Sequence, residues 1–152
     1  MVIQRWQSVL LLIASVMMFL FAFCSLGQIQ GADCTVNITT MGMNRVGDGV
    51  SVVPTIYIFI VALLSAILPL IAIFMYKNLR GQSRVCLITM LLIAADCVCE
   101  WIQATSLDIP GGQSVGWSSV VIAPFVAIVA LIVARRCIAS DRKKLESYDR
   151  LR

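Results

Sequence analysis

The chain has 152 residues, of which 60% are hydrophobic and 13% charged, with a formal net charge of +4 and no histidine. Soluble domains carry roughly 45–50% apolar and about 25% charged residues, and a domain this small cannot hide the excess, so lipid is its natural solvent. The basic charge clusters at the ends of apolar runs rather than in a nucleic-acid module, and without histidine there is no His-ligated haem, His-based metal site or His general base.

A hydrocarbon core about 30 Å thick is crossed by roughly 20 apolar residues in a helix, because lipid offers no partner to an unpaired backbone amide. Four stretches meet that length, at about 6–26, 54–76, 84–105 and 117–138. The predicted fold is therefore an all-α integral membrane four-helix bundle, one transmembrane domain over 1–152.

In chain order, Trp6 opens the first span just after Arg5. The segment could instead be a signal peptide cleaved near Ser25-Leu26-Gly27, leaving three spans. The single basic residue and long apolar run favour an uncleaved helix, and bulky Phe23 argues against a lipoprotein site at Cys24. The longer loop at 28–53, rich in Gly, Thr, Asn and Asp, predicts an irregular cap or a short hairpin. Asn37-Ile38-Thr39 fits a glycosylation acceptor. Cys34 could pair with Cys24 or with a cysteine of span three, or stay a free thiol. Pro54 suits the first turn of span two, and Pro69 and Pro124 should kink spans two and four. Trp6, Tyr57, Tyr76, Trp101 and Trp117 fall near span ends, where amphipathic rings prefer the headgroup level. The tail at 139–152 reads as a solvated, basic extension of span four, or as a docking helix.

Basic residues set the orientation. Arg5, Lys77, Arg80, Arg84, Arg135, Arg136, Arg142, Lys143, Lys144, Arg150 and Arg152 all fall on one side of the spans, and Arg45 alone on the other. The positive-inside rule makes the crowded side cytoplasmic, so both termini lie inside and the 28–53 loop outside.

Span three carries the chemically distinctive residues. Asp96 and Glu100 are an i,i+4 pair on one helix face, and Gln103 extends that face. Rising from Arg84, they stand roughly 18 and 24 Å above the inner boundary, in the outer half of the membrane. An acid at a span centre costs about 2.5–3.5 kcal/mol to insert, so this face should turn toward the other helices or a wet cavity. Ionisable groups at such depth suggest a proton or cation site. The plainer alternative has Glu100 snorkelling to the headgroups and Asp96 bonded to Ser or Thr hydroxyls. No Lys, Arg or His lies inside a span to pair with them, Arg84, Arg135 and Arg136 falling at the inner span ends, and Arg45 is the nearest conceivable counter-ion.

Three stretches occur together in a familiar order: Ile3-Gln4-Arg5 with Gln7-Ser8 and Leu10-Leu11-Leu12; Ile73-Phe74 and Tyr76-Lys77-Asn78 with Gln82, Arg84 and Cys86; and Asp141, Leu145 and Asp149-Arg150-Leu151-Arg152. Together they resemble a four-span bacterial membrane-protein family of Bacteroidota type, catalogued as a domain of unknown function. The resemblance covers essentially the whole chain. It implies a multi-pass protein of the bacterial cytoplasmic (inner) membrane with an uncleaved N-terminus, and no particular activity. The matching positions lie on the cytoplasmic side, which suggests that Arg5, Lys77, Arg84, Asp149 and Arg150 interlock or meet a partner there.

Small size and the lack of a nucleophile–base set, metal-ligand spacing or phosphate loop point away from an enzyme and from any cofactor or metal. The expected role is a non-enzymatic accessory or scaffold subunit, set in the lipid bilayer among other membrane proteins of a larger complex. The alternative is a small proton- or cation-coupled transporter or channel using Asp96 and Glu100. The topology is testable with reporters. Fluorescent-protein fusions at both termini should fluoresce, and alkaline phosphatase fused after Arg45 should be active; reporters placing the two termini on opposite sides would contradict the four-span arrangement.

Overall fold

The computed structural model describes residues 2–30, 35–45, 51–76, 78–106 and 114–150, with side chains over 6–30, 35–44, 55–76, 78–105 and 116–144. Four long helices dominate: α1 (Val2–Phe23), α2 (Ile56–Phe74), α3 (Leu79–Ser106) and α4 (Ala123–Arg150). Each is long and apolar enough to cross a membrane. They pack as a ring in which α1 meets α2 and α4, and α3 meets α2 and α4.

Local chemistry fixes the helix ends. Asn78 caps α3, its Oδ1 accepting the Gly81 N–H at 3.0 Å, so the helix starts well before the expected residue 84. Ser118 opens a 3₁₀ turn (Ser119–Ile122) that leads into α4, its Oγ accepting from the Val120 N–H at 3.5 Å. Pro124 is thus the second residue of α4, where a missing N–H leaves no intrahelical bond broken, and not the interior kink expected. Pro69 does fall inside α2, buried against the bundle. Pro54 closes a strand instead of opening a helix. At the other extreme α4 runs unbroken to Arg150, so the basic tail continues the helix.

The all-α expectation needs a correction. Strands β1 (Gly27–Gln30), β2 (Thr35–Thr39), β3 (Gly42–Arg45), β4 (Ser51–Pro54) and β5 (Ser114–Trp117) form an antiparallel sheet in the order β4-β3-β2-β1-β5. The 28–53 loop is therefore a four-stranded meander, and the loop between α3 and α4 adds the fifth strand. The cause is period-two burial: Ile29 in β1 and Val36 and Ile38 in β2 point inward, whereas Gln28 and Gln30 point out. With Met43 these residues join the same apolar core as the helices, so the sheet caps one end of the bundle. The short α2–α3 turn marks the opposite end.

Hydrogen bonds weld cap to bundle. Thr40 Oγ1 donates to the Ala22 carbonyl at 2.7 Å, occupying a carbonyl near the end of α1 that has no helical partner. Thr55 Oγ1 donates to the Thr40 carbonyl at 3.3 Å, tying the start of α2 to the same point. The Leu26 N–H reaches Ile38 O, and Leu26 O accepts from the Ser118 N–H, both at 2.8 Å. Cys24, Cys86, Cys97, Cys99 and Cys137 are free thiols, and Cys34 lies outside the described residues.

Small side chains make the interior. On α4 the buried residues Ala123, Ala127, Ala130 and Ala134 form one stripe, and α2 contributes Ala62, Ala66 and Ala72. Lipid tails are as apolar as Leu, so membrane helices associate through close backbone approach and polar links. One such link is Ser15 Oγ on α1, which donates to the Ala66 carbonyl of α2 at 2.7 Å. Large apolar side chains point outward instead, including Val9, Val16, Ile60, Ile71, Leu91 and Val129. The five belt aromatics, Trp6, Tyr57, Tyr76, Trp101 and Trp117, are all exposed.

The β1–β5 seam depends on a missing side chain. A Cβ on Gly27 would lie 2.8 Å from the Gly116 carbonyl oxygen and 3.4 Å from Trp117 Cα, whereas one on Gly116 would meet nothing nearer than 3.6 Å. Gly27→Ala should therefore lower stability by about 1–3 kcal/mol in detergent unfolding, and Gly116→Ala by less than about 0.5 kcal/mol. Equal effects would mean that the seam is not close-packed.

Candidate functional site

Helix α3 presents an unusual inward face. Its buried residues are Gln82, Cys86, Thr89, Ile93, Asp96, Glu100 and Ala104, three or four positions apart along one stripe. The face that a membrane helix normally fills with small or apolar residues is here largely polar. From Gln82 to Glu100 the column rises about 27 Å, close to the thickness of a hydrocarbon core.

The column is poorly satisfied. Thr89 Oγ1 donates back to the Val85 carbonyl at 2.8 Å. Gln82 Oε1, both carboxyl oxygens of Asp96 and Glu100 Oε1 have no hydrogen-bond partner, and all four are on α3. Asp96 is 1% exposed and Glu100 8%. The helix thus places two carboxyl groups one turn apart on its inward face, Asp96 fully enclosed and Glu100 keeping a small exposure. Burying a polar group without a partner costs about 1–3 kcal/mol, and a bare ionised carboxylate far more.

Glu100 also lines a cavity of about 330 Å³ at the sheet end of the bundle. Phe21 and Leu26 come from the α1 end, Cys97 and Trp101 from α3, Trp117 from β5, Val121 from the 3₁₀ turn, and Pro124 and Phe125 from α4. The rings of Trp101 and Trp117 are nearly parallel, at 7°, with centroids 6.5 Å apart. Asp96, one turn deeper, does not line the cavity. Among the described residues no group of three or more Cys, Asp or Glu is placed to hold a metal ion.

The other residues singled out in the sequence fall elsewhere. Gln103 is half-buried and leaves the carboxyl pair: its Nε2 donates to Tyr57 Oη at 2.8 Å, bridging α3 to α2. Arg84 is exposed near the start of α3. Arg5, Asp149 and Arg150 belong to helices at the turn end, but their side chains, like all of Lys77, lie outside the described residues. The fold does join two distant motif stretches at that end, where buried Gln7 of α1 donates through Nε2 to Asp141 Oδ2 of α4. Gln82 and the aromatic walls were not among the candidate residues. The four- and three-residue spacing from Gln82 through Thr89 to Glu100 was the available sign of the first. No local sign marks the second, because four separate elements supply the walls.

The architecture is thus that of a multi-pass membrane protein: four apolar helices around a polar stripe, closed at one end by a small sheet. The chain belongs to the family described as Domain of unknown function (DUF4293), which matches residues 3–151. Neither the curated proteins nor the solved structures hold a match to it.

Removing an unpartnered buried carboxyl should relieve its desolvation cost at the expense of a small void. Asp96→Ala is expected to raise stability by about 1 kcal/mol in detergent unfolding. A loss of more than about 2 kcal/mol would reveal a stabilising partner for Asp96.

Proposed function

We propose that this protein is a small, non-enzymatic, proton- or cation-coupled protein of the bacterial cytoplasmic membrane, in which Asp96 and Glu100 form the ion-binding site. Both termini lie in the cytoplasm, and the sheet faces outward. The orientation rests on the basic residues, which crowd the turn end, and the bacterial membrane rests on the resemblance of the motif stretches to a Bacteroidota-type family.

One observation carries the functional reading. Two buried carboxyl groups share a helix face, and three of their four oxygens, both of Asp96 and Oε1 of Glu100, are buried with no hydrogen-bond partner. Such groups are expensive inside a membrane and are retained where they exchange protons or hold a cation. The polar column toward Gln82 supports a route from the site to the turn end. An accessory or scaffold role would rest on the outward apolar faces, which lipid covers equally well, so it explains less of the interior.

The test uses purified protein in liposomes, adsorbed to a solid support and subjected to proton or sodium concentration jumps. The wild-type chain should give transient charge movements, and the Asp96→Asn/Glu100→Gln variant should give currents at least roughly tenfold smaller. Currents of equal size in a folded double variant would remove the carboxyl groups from the mechanism. Absence of current together with a stoichiometric co-purifying membrane protein would favour the accessory role.

A further inference from the structure

The cavity beside Glu100 has a single chemical character. Aromatic rings of Phe21, Trp101, Trp117 and Phe125 form its walls, Leu26 adds an aliphatic patch, and Glu100 is its one charged group among the described residues. The carboxyl is more than nine-tenths buried, and its Oε1 is unpartnered. We propose that this cavity binds an amphiphilic organic cation, an ammonium group bearing apolar substituents, with its charge beside Glu100 and its substituents against the rings. The inference rests on the ion-binding reading of the carboxyl groups and names the class of cation that enters from the sheet end.

Other occupants fit worse. A bare metal cation needs several oxygen ligands, typically about six for a hard divalent ion, and among the described residues these walls supply one carboxyl. A phospholipid headgroup would bring a phosphate, for which no cationic side chain lines the cavity among the described residues. A neutral apolar molecule would fill the space but leave the carboxyl unpaired. An alkylated ammonium meets all three demands at once: it neutralises the carboxylate, its spread charge is attracted to aromatic faces, and its substituents replace lipid against apolar walls. The volume of about 330 Å³ suits a small member of that class. Trp101 is 64% exposed and Phe125 61%, so the rim opens on the bundle surface that faces lipid, and a ligand partitioned into the bilayer reaches it laterally.

Benzyltrimethylammonium and its neutral carbon isostere neopentylbenzene isolate the role of charge. Each is titrated against the full chain in nanodiscs of zwitterionic lipid, with tryptophan fluorescence and calorimetry as readouts. The cation should bind saturably, at least tenfold more tightly than the isostere. Glu100→Gln should erase that difference, and Trp101→Leu should weaken the cation severalfold. Equal binding of the two probes would reduce the cavity to an apolar cleft and overturn the proposal, as would no saturable binding to folded protein. Loss of probe binding alongside normal proton or sodium currents would defeat this inference and leave the ion-binding reading standing. Binding that persists when those currents are absent would do the reverse.

Discussion

Keeping the polar stripe of α3 out of hydrocarbon is the constraint around which the bundle is arranged. A helix carrying Gln82, Thr89, Asp96 and Glu100 on one face can sit in a membrane only with that face enclosed. The surrounding helices answer with small residues, Ala62 and Ala66 on α2 and the alanine stripe of α4, which let backbones approach closely enough to exclude lipid. The enclosure is uneven. Of the four neighbouring helix pairs, α3 and α4 touch least, and the aromatic-walled cavity lies between their sheet ends.

The sheet follows from the same requirement. At the end where Glu100 approaches the surface, the helices alone would leave the top of the bundle open. Strand β1 continues from α1, and β5 precedes α4, so their pairing holds together two of the three helices that line the cavity. Gly27 permits that pairing at short range, and Thr40 and Thr55 anchor the same sheet to the ends of α1 and α2. Trp117, on β5, then meets Trp101 on α3 across the cavity rim. The cap thereby positions Trp117, one of the four aromatic rings of the wall.

Natural interiors satisfy nearly all of their buried polar atoms, and exceptions concentrate where function opposes stability. Here the unpartnered side-chain atoms found among the described residues all belong to one helix, on one face. Away from α3 buried hydroxyls are paired, as at Ser15, Thr40, Thr55 and Ser65. General looseness of packing would scatter such atoms over all four helices. Their concentration on α3 ties the energetic cost to the carboxyl groups that could bind an ion.

Sequence alone determined what depends on local composition and period: four apolar stretches of membrane-crossing length, basic residues gathered on one side of them, and Asp96 and Glu100 on a common face. Each is a property of one segment against its solvent, so no knowledge of neighbours is needed. The strand alternation of Gly27–Gln30 and Thr35–Thr39 was also present, but runs of four and five residues among Gly, Asn and Thr look equally like turns until a partner strand is in place. Tertiary structure decided the rest: the seam between β1 and β5, the Gln7–Asp141 bond, the diversion of Gln103 to Tyr57, and the cavity built from Phe21, Trp101, Trp117 and Phe125. These join residues far apart in the chain, and which distant groups meet is set by packing geometry, on which a local pattern carries no information.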